Sequence, residues 1–473
     1  MKTSRILIVL TMLCLLLGAG YWLWSGRRIP APRNIIVITL DTTRARSLTP
    51  FNNTLATSPF LDSLARDGVL FTQCISQSNG TNPAHSSLFT GLYCSQHQVF
   101  DNHSPLAERF LRIFELAGEN GMVTGACVAV PHLGPKLSGL DKGVASYWAP
   151  SDEQCRAETV TDHALEFLAR QQGKPFFLWV HYFCPHTPYT PDDNYRRLFY
   201  QGDRSDPGKT SMQAIYAHMD AHRPNQANYL RQWIPADVTD ADYVKAGYLG
   251  EIRYMDEQMQ RLVNHVRQGD GGDATAMFII ADHGECMDEK NTYFGHHTLY
   301  EFDIHVPLVL AYPCAALTGK RIDRLVQTID VAPTICELMG WPVPAAFEGQ
   351  SLLPLVRGKT AAFDQRRVVV ESGHHAMIAI RDSRYKYIYN RTMMSHAPCR
   401  HELYDLHADP AENNNLVWSE KALALHYEDL YKQFRRAYGT GKRAKAKQPK
   451  AEKEQEKQDE KALKNLRALG YFE

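Results

Sequence analysis

Two short apolar runs, far apart in the chain, end in acidic residues. "NIIVITLD" spans Asn34 to Asp41, and "TAMFIIADHGE" carries Asp282 and His283 at its end. Carboxylate oxygens and an imidazole nitrogen suit a divalent cation. "VHYFCPHTPY" adds His181 and His186 at and just beyond a third apolar run, and "FGHHTLYE" adds His296 and His297. One histidine is ordinarily a core or surface residue, but several at one edge of a sheet point to a site. Thr81 lies in "SNGTNPAHSSLFTG", between Gly80 and Asn82, with Pro83 close behind. Proline near the front of a helix, preceded by hydroxyl and amide side chains, marks a helix start. Thr81 is then either a helix cap or a nucleophile held where a helix end favours negative charge.

The elements that must position these residues alternate in type. "NIIVITL", "MVTGACVAV", "PFFLWVHYF" and "TAMFIIA" are apolar runs expected of buried parallel strands. "SPFLDSLARDG", "FLRIFELAGENG", "DHALEFLARQQG" and "YLGEIRYMDEQMQRLVNHVRQ" have helical periodicity between them. The alternation predicts an α/β fold, a doubly wound, mostly parallel sheet flanked by helices, whose ligands bind at the strand ends. Between Asp192 and Asp242 the pattern weakens and predicts a polar surface insertion near the mouth of the site. From Arg366, "RRVVVESG", "HAMIAIRD" and "YKYIYN" predict a small antiparallel sheet closed by the helix "ALALHYEDLYKQFRRAY". His374 and His375 in this region are expected to line the pocket. The Lys/Glu/Gln-rich segment Lys442–Lys464 predicts a solvated tail.

Lys+Arg and Asp+Glu both total 52 in 473 residues, so the formal net charge is zero. That excludes the basic excess of a general nucleic-acid binder. The ten cysteines show no CxxC pair or metal-ligand spacing. Lys2 and Arg5 precede a charge-free stretch from Ile6 to Trp24, long enough to span a bilayer, with Tyr21, Trp22 and Trp24 at its end. It predicts an uncleaved signal anchor, with a cleaved signal peptide as the alternative. The expected organisation is an anchor over 1–25, a linker over 26–33, a catalytic domain over 34–360, a C-terminal subdomain over 361–440 and a charged tail over 441–473. The catalytic domain is expected outside the cytoplasm.

The chain resembles the sulfatase family of the alkaline phosphatase superfamily. "NIIVITLDTTRA" looks like the family's first metal strand, "TNPAHSSLFTGLY" its nucleophile turn and helix, and "PFFLWVHYFCPHTPYTP" its substrate-contacting histidine segment. "FIIADHGECMDEKNTYFGHHTLYEFDIHVPLVL" is similar to the second metal motif. "RDSRYKYIYN", "ELYDLHADPAENNNLV" and "LRALGYFE" resemble its C-terminal part. The resemblance implies one divalent metal ion (Ca, Mg, Mn or Zn) on Asp41, Asp282 and His283. It places the nucleophile at Thr81, brings His186 to the transferred group and sets His296 where many sulfatases carry a lysine. His132 in "VAVPHLG" stands near the family's Lys-x-His segment, with the lysine absent.

Three departures bear on the chemistry. Asp41 is followed by Thr42, where the family usually has a second aspartate. The family's Cys-x-Pro-x-Arg reads Thr81-Asn82-Pro83-Ala84-His85 here, so Thr81 replaces the formylglycine precursor and His85 the arginine. Threonine serves directly as nucleophile in relatives acting on phosphorus. Thr81, His85, His186 and His296 are therefore the expected catalytic residues, with backbone N–H groups at the helix start helping to hold negative charge. The expected activity is hydrolysis of a phosphoester, with a sulfate ester as the alternative. The partner is a phosphorylated or sulfated glycan, lipid or small ester. A membrane-anchored transferase modifying a lipid or glycan, a sulfatase in the strict sense and a non-catalytic binding protein are further alternatives.

Overall fold

Every residue of Asn34–Leu40 (β1), Phe176–Tyr182 (β5) and Thr275–Ala281 (β6) is buried. Strands without a polar face need cover on both sides, and helices provide it. The computed structural model describes residues 29–438, apart from residues 172, 270, 374–375 and 392–398. Val69–Ile75 forms β2, Val123–Val128 β3, Ser146–Trp148 β4, His305–Ala311 β7 and Lys320–Gln327 β8. They join one eight-stranded sheet in the order β4-β3-β5-β1-β6-β7-β2-β8. All neighbours are parallel except β7, which runs antiparallel to β6 and to β2. The doubly wound, mostly parallel α/β sheet is the one expected.

Register does the positioning. Leu40 on β1 is opposite Tyr182 on β5 and Ala281 on β6, and Thr39 is opposite His181. The next residues along β1 and β6 are Asp41 and Asp282, so the two carboxylates emerge side by side at the centre of the sheet. The ladder carries one bond further, from the Asp41 N–H to the Tyr182 carbonyl at 2.9 Å. Gly284 follows at a close backbone approach. A Cβ there would sit 2.0 Å from the Phe302 carbonyl oxygen, so a side chain would push the Asp282–His283 turn off the sheet.

Val368–Ser372, Met377–Arg381, Tyr385–Asn390 and His401–Asp405 form the antiparallel strands β9 to β12, covered by the helix Lys421–Tyr438. β12 was not foreseen. This sheet is tied to the large one by buried charge. Arg366 makes a two-pronged pair with Asp330 (2.7 and 2.5 Å), and Lys386 reaches Glu301 (3.1 Å) and Glu412 (2.5 Å).

The polar region after Asp192, for which the sequence showed no clear pattern, is largely helical. It folds into the helices Ser211–His222 and Pro224–Trp233. Met212, Ile215 and Met219, then Ala227, Tyr229 and Leu230, supply the buried faces of these helices. Among the described residues all cysteines are free thiols, and no helix is long and apolar enough to cross a membrane. The apolar stretch Ile6–Trp24, the segment Lys442–Lys464 and the pair His374–His375 lie outside the described residues.

Candidate active site

The strand-end carboxylates lie in full burial with no hydrogen-bonded cation against them. Neither Asp41 oxygen has a hydrogen bond of good geometry, and Asp282 Oδ2 and His283 Nε2 have none. His283 Nε2 is 3.9 Å from Asp41 Oδ1 and 3.6 Å from Asp282 Oδ2. Asp282 Oδ1 is satisfied by the backbone N–H groups of Thr42 (3.2 Å) and His283 (2.7 Å), which leaves Oδ2 turned to the cluster. His283 donates from Nδ1 to the Gly284 carbonyl at 3.0 Å, so its Nε2 lone pair is available. One ligand atom each from Asp41, Asp282 and His283 fall within 4.8 Å of one another. Two carboxylates and a lone-pair nitrogen, buried and unpartnered, are a donor set that fits a divalent ion.

Thr42 occupies the place where a second aspartate was expected. Its φ of 48° is a strained conformation for a β-branched residue, costing about 1–3 kcal/mol. Bonds on both sides of the residue hold it there. Its N–H donates to Asp282, and its carbonyl accepts from the Tyr248 hydroxyl at 2.8 Å.

Thr81 opens the helix Thr81–Thr90, all of whose residues are buried. The cap position belongs to Gly80, and no side-chain capping bond is made, so Thr81 is not the helix cap. Nor is the helix start a bare row of donors. The Asn82 N–H bonds Asn102 Oδ1 at 2.9 Å, and Pro83 has none to offer. The turn is stitched to the cluster instead. Asn79 donates to the His296 carbonyl at 3.0 Å, and the Ser76 hydroxyl bonds the Asp282 carbonyl.

Both ring nitrogens of His85 are engaged. Nδ1 donates to the Thr81 carbonyl at 2.8 Å, and Nε2 accepts from Thr39 Oγ1 at 3.0 Å. Thr39 in turn accepts from Trp179 Nε1 at 2.9 Å. This relay runs from β5 through β1 to the helix start, over rings of Trp179 and Phe89 packed 4.8 Å apart. His85 Nδ1 also lies 3.8 Å from Asp282 Oδ2. His85 was expected among the groups acting on the ester, but its nitrogens are committed to holding the Thr81 turn.

The other histidines gather around the cluster. The ring of His296 stands 4.4 Å from that of His283 and 5.2 Å from that of His186. Burial opposes charge on His296, but the hydrogen bond and charge of fully buried Glu285, at 3.2 Å, push it up to about 9. Burial drives His85, His186 and His283 well below the ordinary histidine range, and brings His181 and His132 down to about 3. One charged imidazole therefore stands among neutral ones. The Pro224–Trp233 helix roofs this group. Gln226 donates to the Tyr293 carbonyl (2.9 Å) and Tyr229 to Thr187 Oγ1 (3.3 Å).

His181 is the residue of this site that no motif singled out as a role-bearer. It lies on β5 itself, and its Nε2 is 3.4 Å from Asp41 Oδ2. The register Thr39↔His181 brings it there. The sequence showed only that it sits near a strand end.

Burial pushes Asp41 up to about 8, and Asp282 well above the carboxylate range through burial and the charge of Asp41. Above the ordinary histidine range, between about pH 6.5 and 8, these two carboxylates in the folded, metal-free protein hold protons that the unfolded chain has lost, whereas below it the buried neutral histidines act in the opposite direction. The contribution of the carboxylate pair is full below the unfolded carboxylate pKa and is lost as pH rises through the folded value. The melting temperature of the metal-free protein should drop from pH 7 to pH 8.5, where the histidines of both folded and unfolded chain other than His296 are neutral. Added divalent ion should raise it more at pH 8 than at pH 5, as differential scanning calorimetry will show.

Comparison with known proteins agrees with this geometry. The family model described as Sulfatase matches residues 33–341, and that described as N-sulphoglucosamine sulphohydrolase, C-terminal, matches residues 289–438. The chain belongs to the sulfatase family, within the alkaline phosphatase superfamily, and is an ester hydrolase of that superfamily. It is 24% identical to the multifunctional alkaline phosphatase superfamily protein PehA of Trinickia caryophylli, covering 83% of this chain and 93% of that one. It is 22% identical to the N-acetylglucosamine-6-O-sulfatase of Bacteroides thetaiotaomicron, covering 85% and 87%. The fold is similar to that of the phosphonate monoester hydrolase of Agrobacterium radiobacter, with a TM-score of 0.67, 22% identity and coverage of 86% and 96%.

Proposed function

We propose that the chain is a metal-dependent hydrolase of singly charged phosphoesters, meaning phosphodiesters or phosphonate monoesters, with Thr81 as its nucleophile. The observation that carries this is the orphaned cluster Asp41, Asp282 and His283, joined through His85, 3.8 Å from Asp282 Oδ2 and bonded to the Thr81 carbonyl, to a threonine that does not cap its own helix. Oxidation of a threonine side chain would give a ketone, so Thr81 cannot supply the aldehyde hydrate of a formylglycine enzyme. Its hydroxyl has to act as such.

Asp41, Asp282 and His283 would hold a divalent ion, which supplies Lewis-acid polarisation and a lowered hydroxyl pKa. Thr81 Oγ1 attacks phosphorus in line, the bond to the leaving oxygen breaks, and that oxygen departs with its electron pair. Water then attacks phosphorus and breaks the bond to Thr81 Oγ1, releasing the acid. His85 holds the Thr81 turn through its bond to the Thr81 carbonyl. His296, kept charged by Glu285, places a cationic N–H donor beside the negative charge of the transferred group.

Charge balance points to a monoanion. A divalent ion is matched by Asp41 and Asp282, and His296 by Glu285. Cations on adjacent elements are also paired with acids, Arg44 and Arg46 sharing Glu289 and Lys245 meeting Asp288 at 2.5 Å. By this count the site is neutral before substrate binds, so a phosphomonoester dianion would bring twice the uncompensated negative charge of a monoanion. Sulfate monoesters are also monoanions, and the likeness to an N-acetylglucosamine-6-O-sulfatase supports a sugar sulfate as the second reading.

The test is turnover of bis(4-nitrophenyl) phosphate, 4-nitrophenyl phenylphosphonate, 4-nitrophenyl phosphate and 4-nitrophenyl sulfate by protein loaded in turn with Ca, Mg, Mn and Zn. The diester or phosphonate should exceed the phosphomonoester by about 100-fold in kcat/KM. A phosphomonoester processed as fast as the diester overturns the charge argument. A sulfate ester processed fastest replaces phosphorus with sulfur.

A further inference from the structure

His181 belongs to the metal site as well. Fully buried near the end of β5, it faces two groups. The Ala129 N–H, just past β3, donates to its Nδ1 at 3.4 Å. Nε2 lies 3.4 Å from Asp41 Oδ2, the two atoms facing each other with neither in a hydrogen bond of good geometry elsewhere or, in the metal-free protein, to each other. A ring nitrogen that accepts a hydrogen bond carries no proton, so the ring's proton is on Nε2. That orientation presents an N–H, rather than a lone pair, to the Asp41 carboxylate.

Asp41 needs such a donor. Asp282 has one oxygen pinned by two backbone N–H groups, whereas Asp41 has no comparable bond. The neighbouring residue, Thr42, contributes no carboxylate. We infer that His181 is a positioning residue of the metal site, holding Asp41 by Nε2–H to Oδ2 in the orientation that lets it bind a divalent ion. This rests on the metal reading above. The alternative, in which His181 itself binds the ion through Nε2, requires the proton to move to Nδ1, where the Ala129 N–H already points.

The experiment is calorimetric titration of the metal-free full chain with Mn2+, for the wild type, His181→Ala and His181→Gln. Pulsed electron paramagnetic resonance of the Mn2+-loaded forms is run alongside. His181→Ala should weaken Mn2+ binding by about 10- to 100-fold, the range for lost partners of metal ligands. His181→Gln, whose amide nitrogen reaches the place of Nε2, should recover most of it. The spectra should show one directly bound imidazole, that of His283, in the wild type and in His181→Ala alike. Unchanged affinity in His181→Ala, or glutamine binding no better than alanine, overturns the positioning role. Two bound imidazoles in the wild type falling to one in His181→Ala make His181 a ligand and overturn it too. A wild type that binds no Mn2+ overturns the metal reading and this inference together.

Discussion

Thr81→Ala should abolish turnover, lowering kcat on the order of 10^4- to 10^6-fold, with the fold intact. The loss is that large because no other hydroxyl replaces the attacking atom, and a nucleophile and its activating groups act as a unit. The fold should survive because Thr81 makes no capping bond and alanine suits the first turn of a helix. Circular dichroism and melting temperature are the controls. Thr81→Ser should retain activity within about tenfold, since it keeps the hydroxyl and loses only the methyl group that restricts its rotamers. Turnover unaltered in the alanine variant would remove Thr81 from the chemistry. A radiolabelled or mass-shifted adduct on Thr81 during turnover of a phosphodiester would support it directly.

Asp282→Asn should have the second largest effect, with opposite signs on function and on metal-free stability. The asparagine carbonyl can still accept from the Thr42 and His283 N–H groups, so the turn is retained. What is lost is the negative oxygen turned toward the cluster. Metal affinity should fall by more than about 100-fold, beyond the usual effect of removing a ligand's supporting partner, and kcat should fall with it. The metal-free variant should be more stable than the metal-free wild type at pH 8, because the carboxylate of Asp41 no longer faces a like charge. At pH 5 the two should converge as the wild-type carboxylates protonate. Equal metal-free melting temperatures at pH 8 would mean that the two carboxylates do not repel each other in the metal-free protein.

Much of the fold was legible in the residues. β1, β5 and β6 are short runs of β-branched and aromatic residues, and burial on both faces leaves a chain no other use for them. Asp41 and Asp282 interrupt those runs at their ends, where α/β sheets bind ligands, so a metal site could be read there. The helices after Thr210 are hard to read because exposed alanines, Ala214, Ala217 and Ala221, blur the apolar stripe of the first, and only Ala227, Tyr229 and Leu230 are buried in the second. β12 was missed because "HELYD" carries charges that face buried partners, Glu402 to the Tyr300 hydroxyl at 2.7 Å among them.

The residue types of the site came from the sequence alone. Two acids at strand ends, histidines nearby and a threonine that cannot become formylglycine are statements about composition and order. What each side chain does with its atoms was decided only by tertiary structure. His85 is bound at both nitrogens, through Thr39 some 46 positions away and Thr81 four away, and is thereby a holder of the turn. His181 reaches Asp41 only because β5 pairs with β1 in one register, across 140 residues of chain. Thr81 does not cap its helix because Gly80 takes that place. A hydrogen-bond partner and a strand register are properties of segments brought together by packing, and local residue order does not carry them.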